Sequence, residues 1–497
     1  MKIYFSDFFN VDPDTIEEYG AFNISLINDL PLFIDPFLLF NNPCEDYQEL
    51  HREILQYVAF LRDKSLDGGI QKGLLKSWYL FPEVKQNWLG YSKVGNNGSG
   101  LGIDFAQALH SNLHHIFSNF GDEEITKSSH LEKLCLIKGG VGRDNISDFT
   151  TNLIKGYLLR YTETFAKQYI DKKYLKNFTI RNVRFDFDNE VWISGKFLLP
   201  ALNNDFVLLT PKDILTKDDN WINKGDIVCD FNEILTSIGN QQLRAEISNY
   251  FARNLPKQRK KKGGGFKAPT KKEIANAVSQ VLRQYPQFID YYIRFKEDNG
   301  DLAKSYSTEK VKSVEHLFIT KLSSLINTLI EDTEFYEISD NTFDESMQRV
   351  LFLKDVIENK DGYKVFYLDG KPISRENDLH IMYRLTFFAS KSDVTREANE
   401  GRGPVDFKIS RGANNKTLVE FKLASNSKLK QNLEHQVEIY KKAHNAQKAI
   451  KVILYFSTFE QQKVQNVLKS LKLENDPSIV LINAIGPKPS ASNAKSH

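Results

Sequence analysis

The sequence predicts a multidomain protein of the α/β (α+β) class, on three observations. Its 497 residues exceed what one core usually organises, at roughly 150 residues per domain. Stretches with helical apolar spacing alternate with stretches of strand-like alternation. Between them KQRKKKGGGFKAPTKK, from Lys257 to Lys272, holds eight basic residues, three successive glycines and no acid, so it cannot be the interior of a packed element.

These signals divide the chain. Residues 1–255 read as an α/β or α+β region for target recognition or sensing. It holds a helix over residues 45–64 and a strand over 205–210. Residues 256–272 read as a basic Gly-rich linker or loop, and 273–344 as a helical connector, with an amphipathic helix over 309–333. Residues 345–486 show the clearest order: a helix over 373–388, strands over 405–410 and 417–424, a helix over 428–443, a strand over 449–457, a helix over 459–473 and a strand over 478–485. The small, polar tail 487–497 is expected to be disordered.

Composition narrows the function classes. Apolar residues make up 41%, enough for sizeable cores, and 66 Lys and Arg nearly balance 64 Asp and Glu, so any polyanion-binding surface has to be local. Cys44, Cys135 and Cys229 have no CxxC spacing, which argues against a zinc knuckle or a disulfide framework and suits a reducing compartment. The first residues lack a basic segment followed by an apolar one, and no window reaches about 18 apolar residues, so a soluble cytoplasmic protein is expected. KGGVGRDN, from Lys138 to Asn145, lacks the GxxxxGK[ST] phosphate loop. His110 and His114 share a helix face without HExxH or a third ligand, and read as helix-surface histidines.

The chemistry concentrates in GPVDFKISRGANNKTLVEFK, from Gly403 to Lys422. Side chains alternate along a strand, so Val405, Phe407 and Ile409 share one face and Asp406 points to the other. By the same rule Val419, Phe421 and Leu423 share a face, leaving Glu420 and Lys422 together opposite. Arg411 to Asn415, RGANN, has the composition of a hairpin loop. A hairpin symmetric about Ala413 sets Asp406 across from Glu420, with Cβ atoms about 5 Å apart. Two carboxylates at that separation share a proton or a cation, and all-oxygen donors suit Mg²⁺ or Mn²⁺. Lys422, one pleat on, is then placed to orient or deprotonate a water and to neutralise charge on a phosphate. The plainer alternative is that Asp406, Glu420 and Lys422 are the solvent face of an amphipathic hairpin.

GPVDF followed by VEFK resembles the PD-(D/E)XK nuclease superfamily, the restriction-endonuclease-like fold, over roughly residues 345–485. Pro404 stands two positions before Asp406, a relaxed form of the motif. The resemblance implies a mixed sheet flanked by helices and a Mg²⁺-dependent deoxyribonuclease, Mn²⁺ able to substitute, whose products carry a 5′-phosphate and a 3′-hydroxyl. It implies metal binding by Asp406, Glu420 and an upstream glutamate, Glu376, for which Glu397 is a rival. It also implies a QxxxY element at Gln436 and Tyr440 that supports the active site and the DNA backbone. From Lys391 to Lys451, 13 Lys and Arg against 7 Asp and Glu suit a polyanion, and Arg396, Arg402, Arg411, Lys428 and Lys430 are candidate backbone contacts. The expected partners are DNA, with RNA not excluded, a second copy of the chain in a homodimer or larger homo-oligomer, and a partner protein of a prokaryotic restriction or antiphage defence system. No membrane partner is expected. A catalytically inactive nucleic-acid- or partner-binding module and an RNA nuclease are the competing readings.

Overall fold

A computed structural model describes residues 3–26, 29–66, 69–90, 102–116, 123–137, 143–217, 219–256, 259–260, 266–321, 341–359, 362–368, 371–372, 380, 383, 392–398, 405–412, 415–434 and 448–486. The chain forms two compact units, the first reaching Lys312 and the second beginning at Ser313. Both mix helices with sheets, an α+β architecture. Among the described residues no helix is long and apolar enough to cross a membrane.

In the first unit, helix α1 (Glu45–Leu66) starts with Glu45 and Asp46 and carries Lys64 in its last turn, charges that complement the helix dipole. Its buried stripe of Tyr47, Leu50, Ile54, Tyr57, Val58 and Leu61 follows helical spacing. Helices α2 (Ile103–Ile116), α3 (Arg143–Leu153) and α4 (Lys155–Tyr169) follow, then a long antiparallel ribbon of β1 (Leu175–Asp186) and β2 (Val191–Leu202). The ribbon and α4 enclose a core of Leu159, Ile180, Val183, Leu199 and Phe206. His110 on α2 is a correction: its ring is buried and lies edge-on to Tyr79 at 5.1 Å.

The strand expected over 205–210 shrinks to β3 (Asp205–Phe206), which pairs with β2. The backbone beyond bonds elsewhere, Leu208 N–H donating to the Gln86 carbonyl and Leu209 N–H to the Thr162 hydroxyl. The basic Gly-rich stretch lies within this unit, where Arg259 and Lys260 pair with Phe266 and Lys267. Helices α5 (Lys271–Gln284), α6 (Phe288–Asp298) and α7 (Gly300–Val314) come next, α5 opened by a Thr270–Glu273 capping box. Their packing puts the break between units at Lys312, later than the basic stretch that marks it in the sequence. Phe288, for instance, meets Phe231 at 5.1 Å, and the Tyr292 hydroxyl donates to the Asn223 carbonyl.

The second unit is built on α8 (Thr342–Asn359) and a five-stranded sheet. Its strands, in spatial and chain order, are β4 (Asp393–Ala398), β5 (Val405–Arg411), β6 (Asn415–Leu423), β7 (Lys448–Tyr455) and β8 (Ile479–Asn483). The first three run antiparallel and the last two join parallel, so the sheet is mixed. Between β7 and β8 lies α9 (Thr458–Ser470), capped by the Ser457 hydroxyl. On one face α9 contributes Val464 and Leu468 to a core with Ile453, Tyr455, Leu429 and Leu433. Phe407, Phe421 and the buried Tyr383 cluster elsewhere, the Tyr383 ring 5.1 and 4.5 Å from the two phenylalanines.

Candidate active site

The β5–β6 pairs run from Phe407 opposite Val419 to Arg411 opposite Asn415, symmetric about position 413. The loop is shorter than RGANN, because Arg411 and Asn415 pair, and Gly412 supplies a positive φ of 72°. One step beyond Phe407 and Val419, where Asp406 would meet Glu420, the backbone ladder stops. The Asp406 carboxylate there accepts the Phe421 N–H at 2.7 Å, a side-chain oxygen standing in for a strand carbonyl. On its other edge β6 pairs parallel with β7, matching Glu420 with Lys451 and Lys422 with Ile453. Glu420 and Lys422 thus share the sheet face of Lys451 and of the α9 core.

The three sequence-marked side chains converge. Lys422 Nζ lies 3.4 Å from Asp406 Oδ2 and 3.6 Å from Glu420 Oε1, and all three side chains are only 10–15% exposed. A solvent-facing hairpin would leave them open, so that alternative does not describe this geometry. His380 Nε2 sits 3.3 Å from Asp406 Oδ2, its ring edge-on to Phe407. Burial pushes the Asp406 carboxyl up, but His380, Lys422 and the Phe421 N–H outweigh it and hold it down at about 2. Burial pushes Glu420 up to about 7, with Asp406 adding to the rise and Lys422 and Lys451 opposing it. One carboxylate is thus fixed as an anion, and the other exchanges its proton near neutrality.

His380 and Lys451 are the members that sequence reasoning missed. No motif marks His380, and the register that brings Lys451 to Glu420 is not visible in spacing. Glu376, Arg402, Gln436 and Tyr440 lie outside the described residues. Glu397 falls on β4, a strand with no apolar alternation to announce it, at the register position of Asp406: Arg396 pairs with Phe407 and Ala398 with Val405.

The proposed phosphate contacts separate. Arg411 is engaged inside the unit: its guanidinium reaches Glu345 at 2.6 Å and the Ser392 hydroxyl at 2.7 Å, and Glu345, 3% exposed, also holds Arg349 at 2.9 Å. Lys428 and Lys430 are exposed, the latter 4.0 Å from Glu434. Among the described residues no three His, Cys, Asp and Glu side chains are arranged to hold a metal. The two carboxylates gathered on one ammonium nevertheless match the oxygen donors a hard divalent cation takes.

A family model described as a domain of unknown function (DUF8370) matches residues 10–223, and a second (DUF8371) matches residues 342–458, which contain Asp406, Glu420 and Lys422. No curated protein and no solved structure matches the chain.

Proposed function

We propose that the second unit is a restriction-endonuclease-like, metal-dependent deoxyribonuclease, with Asp406 and Glu420 as the carboxylates that hold Mg²⁺ or Mn²⁺ and Lys422 as the catalytic cation. The convergence of both carboxylates on Lys422 Nζ at the point where the β5–β6 ladder opens carries this reading. The order of three antiparallel strands followed by two parallel ones, helix-flanked, supports it.

The residues act in sequence. Asp406, kept ionised by His380 and Lys422, is an anion at any physiological pH. Glu420, once deprotonated, would supply the second carboxylate for a divalent cation. The bound cation supplies charge neutralisation at the scissile phosphate. Lys422, buried between the carboxylates, points its ammonium at the same spot, where it orients the attacking water and stabilises the negative charge of the transition state. Exposed Lys428 and Lys430, with the local basic excess, hold the backbone of the strand. One such centre per chain cuts both strands of a duplex when two copies act together.

Incubating the purified protein with labelled duplex DNA, single-stranded DNA and RNA, with Mg²⁺, Mn²⁺ or a chelator, tests the reading. Metal-dependent DNA cleavage leaving 5′-phosphates is expected. Cutting confined to RNA would make it a ribonuclease, and binding without cutting a binding module.

A further inference from the structure

The first unit contains a cleft of about 230 Å³ walled by α1, α4 and both strands of the β1–β2 ribbon. Glu53 and Gln56 come from α1, Tyr157 and Arg160 from α4, Arg184 from β1, and Trp192 from β2. Two local features shape it. Gly156 lets α4 press onto β1, because a Cβ there would lie 2.7 Å from the Val183 carbonyl oxygen. A bulge between Ile180 and Arg184, with Asn182 left-handed at φ 55°, redirects β1 where Arg184 leaves it.

Of the charges lining the cleft, Glu49 is held by Arg52, while among the described residues Arg160, Arg184 and Glu53 form no ion pair of their own. All three lie within electrostatic reach of one another: burial and Glu49 raise the Glu53 carboxyl, and the two arginines lower it. Beside them are half-buried aromatic rings, Tyr157, Phe187 and Trp192, the last packed on Tyr57 at 5.2 Å. Two arginines and a glutamate, all reached by solvent, thus stand together around one aromatic-lined cavity. A ligand that is anionic at one end, flat in the middle and rich in N–H donors at the other satisfies all of them.

We propose that this cleft binds a nucleotide, its phosphate on Arg160 and Arg184, its base against the aromatic side chains, and the base edge on Glu53 and Gln56. Arginine forks match phosphate oxygens, aromatic rings stack on bases of any identity, and a carboxylate selects bases that present N–H donors. A free mononucleotide and an unstacked nucleotide of a single strand offer the same chemistry. The proposal stands independently of the hydrolytic reading of the second unit.

The test uses the full-length chain carrying Asp406→Ala, which silences hydrolysis and leaves the cleft intact. Titration calorimetry with the four ribonucleoside 5′-monophosphates, the matching nucleosides and a short single-stranded oligonucleotide is compared with Arg160→Ala, Arg184→Ala and Glu53→Gln. Both arginines are exposed, so their removal spares the fold, which a thermal melt of each variant checks. Saturable binding by at least one nucleotide is expected, weakened about tenfold or more by each arginine variant. Glu53→Gln is expected to reorder the base preference without abolishing binding. Mononucleotide binding points to a free ligand, and oligonucleotide binding alone points to strand capture. Absence of binding by every nucleotide and oligonucleotide, nucleosides binding as tightly as nucleotides, or affinity unchanged in both arginine variants would each overturn the proposal.

Discussion

Two aspartates, one in each unit and both largely shielded from solvent, meet opposite fates. Asp35 is 2% exposed and accepts the N–H groups of Phe37 and Trp221 at 3.1 and 2.7 Å, with a second carboxylic acid, Glu132, beside it. Among the described residues neither acid has a cationic partner, and burial pushes Asp35 up to about 6 and Glu132 well above its usual range. Asp406 accepts a backbone N–H too, but it also has His380 and Lys422, and it stays an anion down to about 2. Desolvation acts on both; the nearby positive charge decides the outcome. Asp35 and Glu132 therefore behave as a proton-sharing structural pair, whereas Asp406 is prepared for work that needs a carboxylate.

Removing the counter-charge should break the difference. The largest effect belongs to Glu345, the carboxylate that Arg349 and Arg411 surround. Glu345→Gln takes the carboxylate away from both Arg349 and Arg411, and unfolding of the second unit in denaturant should show a loss of roughly 3–5 kcal/mol. Next comes Lys422→Met, which leaves Asp406 and Glu420 facing each other without the ammonium between them. DNA cleavage rates should fall by about 10²–10³-fold, and the melting temperature should change far less.

The aspartates should also differ in the sign of their pH dependence. A carboxyl raised by folding adds stability below its unfolded pKa and loses that contribution as pH rises through the folded value. The Asp35–Glu132 pair therefore weakens the first unit as pH rises from about 4 to about 6, each acid contributing at most about 1.4 kcal/mol per pH unit. Glu132→Gln, which offers Asp35 a permanent donor, should flatten that slope in melts at pH 4, 5 and 6. Asp406 runs the other way: its contribution is present above about pH 4 and is lost as pH falls toward about 2. The smallest effect is Lys430→Ala: exposed and 4.0 Å from Glu434, it should alter stability by less than about 0.5 kcal/mol, while salt titrations of DNA binding lose about one unit of slope.

Legibility in the sequence followed the regularity of the local pattern. The strict alternation of VDFKIS and TLVEFKLA, with a turn between them, was enough to place Asp406, Glu420 and Lys422 on one face and to centre the register at position 413. The strand over 449–457 and the helix after it appear as β7 and α9, within a residue or two at their starts. β4 escaped because Asp393–Ala398 is polar along its length and is a strand only through its pairing with β5. The β1–β2 ribbon escaped because its bulge breaks the alternation of LKNFTIRNVRFD. His380 and Lys451 needed three-dimensional proximity that no spacing encodes. Arg411 shows the converse: a basic residue near the site reads as a phosphate contact until its partner Glu345, 66 residues earlier, is seen beside it.

The central claim is that Asp406, Glu420 and Lys422 form one hydrolytic centre. The most direct test is the rate at which supercoiled plasmid is nicked or linearised in Mg²⁺ or Mn²⁺ by the wild-type chain, Asp406→Ala and Lys422→Ala, each checked for folding by its melting curve. The structure leads us to expect metal-dependent cutting by the wild type and none above background by either folded variant. Cutting by Asp406→Ala at the wild-type rate would contradict the claim and move the chemistry away from the β5–β6 hairpin.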